Sequence, residues 1–205
     1  MNASYRVNEI FCSLQGEGCW IGTPMVFVRL AGCNLQCPFC DTDHRSFKEL
    51  STEALLSAVR EQSGDCRRIC LTGGEPLLQA DEALLSAFHT AGYTVHLETN
   101  GTRPLPGGVD WVTLSPKEDV PGQVGDSRVV LEKADEVKLV YDGTLSEERL
   151  AFWAAFPATW HFLQPCDTGK PERNRALLRE TIGYILGQDG PWRLSLQTHK
   201  FLGIR

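Results

Sequence analysis

Short β-rich runs alternate with amphipathic helical stretches along almost the whole of this chain, and that alternation restricts the fold more than any other feature. β-Branched, aromatic and aliphatic residues crowd into 25–30, 68–71, 93–97, 109–114, 136–141 and 159–163, each expected as a strand. Helices are expected between them. One starts at Ser51 as N-cap, with Glu53 in its first turn, Leu55, Leu56 and Val59 on one face and Gly64 to end it. A second covers 81–91 and stops at Gly92; a third follows Ser146, with Glu147 and Glu148 at its positive end; a last covers 173–186. The run 192–198 reads as a short closing strand despite Arg193. Such alternation implies a mainly parallel sheet covered by helices. About six strands in 205 residues fit an incomplete, TIM-like barrel with its helices outside, in an α/β chain. A doubly wound open sheet is the competing arrangement. No repeat, low-complexity tract or linker divides the sequence, so 1–205 is expected as a single domain, with 122–133 as a surface excursion.

The polar clusters fall just after the expected strands. The cysteines 33, 37 and 40 follow the first, Thr72-Gly73-Gly74-Glu75-Pro76 the second and Glu98-Thr99-Asn100-Gly101 the third. Ser115-Pro116-Lys117 follows the fourth and Gln164-Pro165 the sixth. In parallel α/β architectures the carboxyl ends of the strands share one rim, where ligands bind. Five polar motifs therefore converge on one mouth.

Charge and composition remove several function classes. The net charge is −6 and no run of Lys and Arg offsets it, which argues against a nucleic-acid partner. The N-terminal segment lacks the apolar core of a signal peptide, and no apolar stretch is long enough to span a bilayer, so a cytoplasmic protein is expected. In that setting the eight cysteines are not a disulfide scaffold. Three of them crowd into Cys33-Asn34-Leu35-Gln36-Cys37-Pro38-Phe39-Cys40, which reads as metal ligation. The other five receive no function.

Three thiolates on a short loop can hold three irons of a cubane and leave the fourth without a protein ligand, since soft thiolate sulfur suits such clusters. Structural zinc, with His44 or Asp41 as fourth ligand, is the rival reading of the spacing. In Gly73-Gly74-Glu75-Pro76 two glycines would let the backbone approach a ligand, and Glu75 offers an acceptor for an ammonium group; an ordinary strand-to-helix turn is the plainer alternative.

CxxxCxxC after the first strand with Gly-Gly-Glu-Pro after the second resembles the radical S-adenosylmethionine superfamily. The resemblance implies a 4Fe-4S cluster on Cys33, Cys37 and Cys40 that reductively cleaves S-adenosyl-L-methionine to a 5′-deoxyadenosyl radical. Further motifs narrow it: Phe11-Cys12-Ser13-Leu14-Gln15-Gly16-Glu17-Gly18, Phe27-Val28-Arg29-Leu30-Ala31-Gly32, Asp41-Thr42 and Ser195-Leu196-Gln197-Thr198-His199-Lys200. Together these resemble the 7-carboxy-7-deazaguanine synthase family over nearly the whole chain. Cys12 departs from the aromatic or polar residue often found there.

That family contracts 6-carboxy-5,6,7,8-tetrahydropterin to 7-carboxy-7-deazaguanine with loss of ammonia. It is a carbon–nitrogen lyase of the queuosine pathway that needs the cluster, S-adenosyl-L-methionine and Mg²⁺ and works as a homodimer. A flavodoxin-type reductase is the expected electron donor. The resemblance makes Thr42 the Mg²⁺ ligand and assigns Leu14, Gln15, Gly16, Glu17, Arg29 and Thr72 to the substrate. It assigns Phe39, Asp41, Gly74, Glu75, Ser115, Pro116, Lys117, Gln164, Pro165, Cys166 and Asp167 to S-adenosyl-L-methionine. Arg205 occupies the place from which a terminal carboxylate reaches the substrate in some members.

Several of these positions carry plainer alternatives. An Arg on the inward face of a strand needs an anion, and a salt bridge from Arg29 to Glu17 or Glu98 would serve. Thr42 alone reads as a loop cap, Lys117 as a solvated lysine, and Cys166 has no chemical rationale. His199 either moves protons or fixes the C-terminal tail by a hydrogen bond. A glycyl-radical-activating enzyme acting on a protein, or a zinc-stapled binding module, are the competing functions.

Overall fold

The computed structural model describes residues 4–205; Met1 to Ala3, the start of the segment read above as too polar for a signal peptide, lie outside the described residues. Strands β1 (Ser4–Leu14), β2 (Pro24–Leu30) and β3 (Lys48–Ser51) lead into α1 (Thr52–Ser63), β4 (Arg68–Gly73) and α2 (Glu82–Thr90). Then come β5 (Thr94–Thr99), β6 (Trp111–Leu114), β7 (Ala134–Tyr141), α3 (Glu147–Ala154) and β8 (Ala158–Pro165). The chain finishes with α4 (Pro171–Leu186), β9 (Trp192–Leu194) and α5 (Thr198–Leu202). All strands join one sheet in the order β3-β1-β2-β4-β5-β6-β7-β8-β9. From β2 to β9 neighbouring strands are parallel, and β1 runs antiparallel to both β2 and β3.

The period-2 pattern decides between the two expected architectures. Val26, Val28, Leu30, Ile69, Leu71, Val95 and Leu97 point to one face and pack against Leu55 and Val59 of α1 and Leu84, Leu85 and Phe88 of α2. Farther along the sheet Leu114, Val137, Leu139 and Leu163 pack the same way against Leu150 and Trp153 of α3. Residues of the opposite parity, among them Arg29, Thr72, Glu98, Lys138 and Gln164, line a cavity instead. A doubly wound sheet would cover both faces with helices. Here the large apolar core lies on the outer side and the inner face stays largely polar, as in a barrel left open between β3 and β9.

Three elements depart from the sequence-based expectation. β1 and β3 are strands that the hydrophobic runs do not reveal. A bulge between Val7 and Glu9 shifts the β1–β2 register, so Tyr5 and Val7 face the outer core while Phe11 joins an inner cluster with Met25, Phe27 and Cys70. The bulge breaks the alternation that would betray the strand. The closing strand is only Trp192–Leu194; Thr198 donates its N–H to the carbonyl of Gly16 at 3.0 Å and starts α5, which ends at Gly203 with φ +64. Ser51 caps its helix as expected, and Asp81 and Ser146 cap theirs as well, each accepting a backbone N–H in the first turn.

The 122–133 excursion lies at the surface but braces the cysteine loop. Gln36 and Val124 exchange backbone hydrogen bonds of 2.9 and 3.2 Å. Gly125 (φ +111) passes so close that a Cβ there would sit 2.4 Å from the Asn34 carbonyl oxygen.

Candidate active site

The cysteine loop leaves the carboxyl end of β2 and is fixed by its neighbours on the rim. The Gly74 N–H donates to the Leu30 carbonyl (3.1 Å) and the Glu75 N–H to that of Gly32 (2.9 Å). A Cβ on Gly73 would sit 2.1 Å from the Leu30 oxygen, and one on Gly74 would sit 2.1 Å from the Gly32 oxygen. The two glycines are thus required by contact with the end of β2 and the start of the cysteine loop, and both also line the cavity beside it. From the β5 rim, Asn100 and Thr102 hold Asn34, with side-chain contacts of 3.2 and 2.8 Å.

Cys33, Cys37 and Cys40 are free thiols that open on one cavity. Burial pushes the Cys33 and Cys37 thiols up, so forming thiolates there calls for a bound cationic group. A closed zinc site asks for four donors converging on one ion, whereas a cubane takes each of three sulfurs on a different iron. Asp41, a suggested fourth zinc ligand, is instead paired with Lys200 at 2.7 Å. The donor set fits the iron–sulfur group.

The cavity, about 770 Å³, is lined by every residue assigned above to cluster, cofactor, Mg²⁺ or substrate, except Glu75 and Pro116. Glu75 needs a correction. It is fully buried, with Oε1 accepting from the Leu77 N–H (2.9 Å) and the Thr99 hydroxyl (2.8 Å) and Oε2 from the Asn100 N–H (2.8 Å). Its oxygens are held by the rim and it does not line the cavity, so its part in this structure is to position the loops. Pro116 is buried behind Ser115 and Lys117 and likewise stays out of the cavity.

Lys117 is folded back onto Ser115, donating to its carbonyl (2.6 Å) and hydroxyl (2.7 Å), so it is a wall residue and not a solvated one; burial lowers its pKa. Across the mouth Lys200 bridges Asp41 and Asp167, 2.7 Å from each, and its hydrogen bond holds Asp167 at about 2. Gln164 accepts the Ser195 hydroxyl at 2.8 Å, which ties β8 to the C-terminal motif. Cys166 lines the wall beside Pro165, and Phe39 and Thr42 border the cysteine loop.

The floor is polar and densely bonded. Gln15 donates to Glu98 (2.9 Å) and Glu17 accepts from Gln197 (2.9 Å). Between these carboxylates lies Lys138, hydrogen-bonded to Glu17 and 3.6 Å from Glu98. Burial disfavours charge on both Lys138 and Glu17, but their mutual attraction prevails, keeping the ammonium protonated and the Glu17 carboxyl well below the usual range. Glu136, on the same face of β7 as Lys138, accepts the Cys19 N–H at 3.0 Å and is pushed up to about 7 by burial.

One further expectation changes. The anion on Arg29 is Glu9, with Nε to Oε1 at 2.9 Å, and neither Glu17 nor Glu98. Glu9 also binds the Arg205 guanidinium, while the Arg205 carbonyl accepts the Ser13 hydroxyl at 2.5 Å. Gly16 packs against His199: a Cβ there would lie 2.2 Å from its Nδ1. Glu9 and Lys138 escape the sequence reading. Their only signal is a charge on the inward parity of a strand, visible for Lys138 in its spacing of two from Glu136.

A partial barrel with three cysteines on the loop after its first parallel strand, facing a polar cavity, defines a radical S-adenosylmethionine enzyme with a 4Fe-4S cluster and S-adenosyl-L-methionine as cofactors. A sequence profile of the Radical SAM superfamily matches residues 27–119. The 7-carboxy-7-deazaguanine synthase of Bacteroides thetaiotaomicron is 44% identical over 98% of this chain and 98% of its own. That of Bradyrhizobium diazoefficiens is 41% identical over 98% of this chain and 100% of its own. The crystal structure of QueE from Escherichia coli superposes with a TM-score of 0.72 at 28% identity, covering 94% of this chain and 93% of that one. The chain belongs to the 7-carboxy-7-deazaguanine synthase family.

Proposed function

We propose that this protein contracts 6-carboxy-5,6,7,8-tetrahydropterin to 7-carboxy-7-deazaguanine with loss of ammonia, on the route to queuosine and related deazapurines. One observation carries the reading. Residues that the resemblance assigns to cofactor and to substrate, drawn from both ends and the middle of the chain, open on a single cavity of about 770 Å³. That volume suits a small heterocycle beside a nucleoside cofactor.

Cys33, Cys37 and Cys40 would hold the cluster, which when bound would supply the electron for cleavage of S-adenosyl-L-methionine. The chain's own part is placement. Ser115, Lys117, Gln164 and Asp167 form the wall that orients the cofactor, with Phe39 and Asp41 at the adenine. Arg29 is engaged by Glu9 through Nε, which sets the plane of its guanidinium for the pterin carboxylate. Gln15, Thr72 and the adjoining Glu98 offer donors and acceptors to the pterin ring. Thr42 offers a hard hydroxyl oxygen to Mg²⁺, which binds few protein ligands and keeps the rest of its shell from substrate and water. The family resemblance supports a homodimer working in the cytoplasm with a flavodoxin-type electron donor. Among the described residues no helix is long and apolar enough to cross a membrane.

The test is direct. Reconstituted protein, given the carboxytetrahydropterin, S-adenosyl-L-methionine, Mg²⁺ and a strong reductant without oxygen, is expected to yield 7-carboxy-7-deazaguanine by mass spectrometry. Intact pterin after such an incubation would remove this reading and favour the glycyl-radical-activating alternative.

A further inference from the structure

Below the cavity, β7 places one buried lysine among carboxylates from three separate stretches of chain. Lys138, 5% exposed, is hydrogen-bonded to Glu17 of the segment after β1 and lies 3.6 Å from Glu98 of β5. Glu136 is its neighbour of like parity on β7, and Lys117 and His199 stand beyond on the same cavity wall. Each carboxylate partner holds a further part of the site. Glu98 accepts from Gln15 at 2.9 Å and from Thr72 at 3.5 Å. Glu17 accepts from Gln197 at 2.9 Å, whose neighbour Thr198 bonds back to the Gly16 carbonyl at 2.9 Å.

Two partly buried carboxylates, with side chains 14% and 25% exposed, would repel each other and draw in water or protons without a counter-cation. With the ammonium between them they stay in place, and the groups they carry stay with them. We infer that Lys138 is a positioning residue for the pterin: its ammonium fixes Glu98 and Glu17, so that Gln15, Thr72 and Glu98 present one arrangement to the substrate. None of the motifs that carry the family resemblance includes it. The inference deepens the function proposed above and rests on it.

The experiment measures equilibrium binding of the carboxytetrahydropterin and of S-adenosyl-L-methionine separately, on reconstituted full-length protein of known iron content. Lys138→Met is expected to weaken pterin binding about tenfold or more, with cofactor affinity and iron content unchanged. Because that variant leaves two partly buried carboxylates without their cation, the pair Lys138→Met with Glu17→Gln is measured beside it; it carries less uncompensated charge and is expected to show the same split. Parental pterin affinity in either variant overturns the inference. So does joint loss of iron, cofactor and pterin binding in both, which would make Lys138 a brace of the fold. The unsubstituted protein is assayed first, and its failure to bind pterin would instead strike the proposed function.

Discussion

The Glu75 carboxylate accepts the backbone N–H of Asn100 at 2.8 Å, joining the turn after β4 to the loop after β5 beneath the cysteine loop. Asn100 then reaches Asn34, so the placement of the first cysteine depends on a carboxylate that never touches the cavity. Glu75→Ala leaves the Asn100 and Leu77 amides and the Thr99 hydroxyl without an acceptor. At about 1 kcal/mol or more for each stranded group, the variant is expected to lose about 3 kcal/mol of stability and to hold iron poorly. Urea unfolding with iron analysis checks this; parental stability would show the bonds to be dispensable.

Glu136 gives the fold a pH dependence of definite sign. Burial raises its carboxyl to about 7 in the folded chain, above the value of an exposed glutamate. The folded state therefore binds the proton more tightly than the unfolded one. Its contribution is fully present below about pH 4 and is lost as pH rises through about 7, amounting to about 3 kcal/mol. Glu136→Gln is expected to flatten this part of the stability curve between pH 5 and 8. A parallel decline in the variant and the parent would place the proton elsewhere.

Cys37→Ala is expected to reduce iron and sulfide content sharply and abolish cleavage of S-adenosyl-L-methionine, because the cluster proposed on Cys33, Cys37 and Cys40 would have only three protein sulfurs to hold it. Metal analysis after anaerobic purification is the check. Zinc without iron in the parent, or full cleavage in the variant, would return the loop to its structural reading.

The rim and the outer core are legible in the sequence, the floor is not, and the reason lies in how each is encoded. Val26, Val28 and Leu30, like Ile69 and Leu71, repeat at a spacing of two and declare both strand and face; the polar motifs that follow them declare the rim. Short-range contacts such as Ser51 capping α1 are equally local. The partners of Lys138 and Arg29 are not local: Glu17 is 121 residues from Lys138, and Glu9 is 20 residues from Arg29 across an antiparallel register that a bulge displaces. Glu75 misleads for the same reason. Its motif suggests a ligand contact, and only the fold shows Asn100 and Thr99 already holding it.

Arg29 provides the sharpest check on the substrate side of the cavity. Its Nε is taken by Glu9, and a carboxylate on the pterin would engage the remaining edge of the guanidinium. Arg29→Lys retains the charge but loses the planar fork and the Glu9 contact at Nε, so the cation no longer has a fixed direction. The apparent KM for the pterin is expected to rise about tenfold or more, while that for S-adenosyl-L-methionine moves little. The wall proposed for the cofactor, Ser115, Lys117, Gln164 and Asp167, makes no hydrogen bond to Arg29 among the described residues, which is why the two constants should separate. Steady-state kinetics with each ligand varied in turn makes the comparison. Equal impairment of both would mean that Arg29 and Glu9 hold β1 against β2 and that the carboxylate is bound elsewhere.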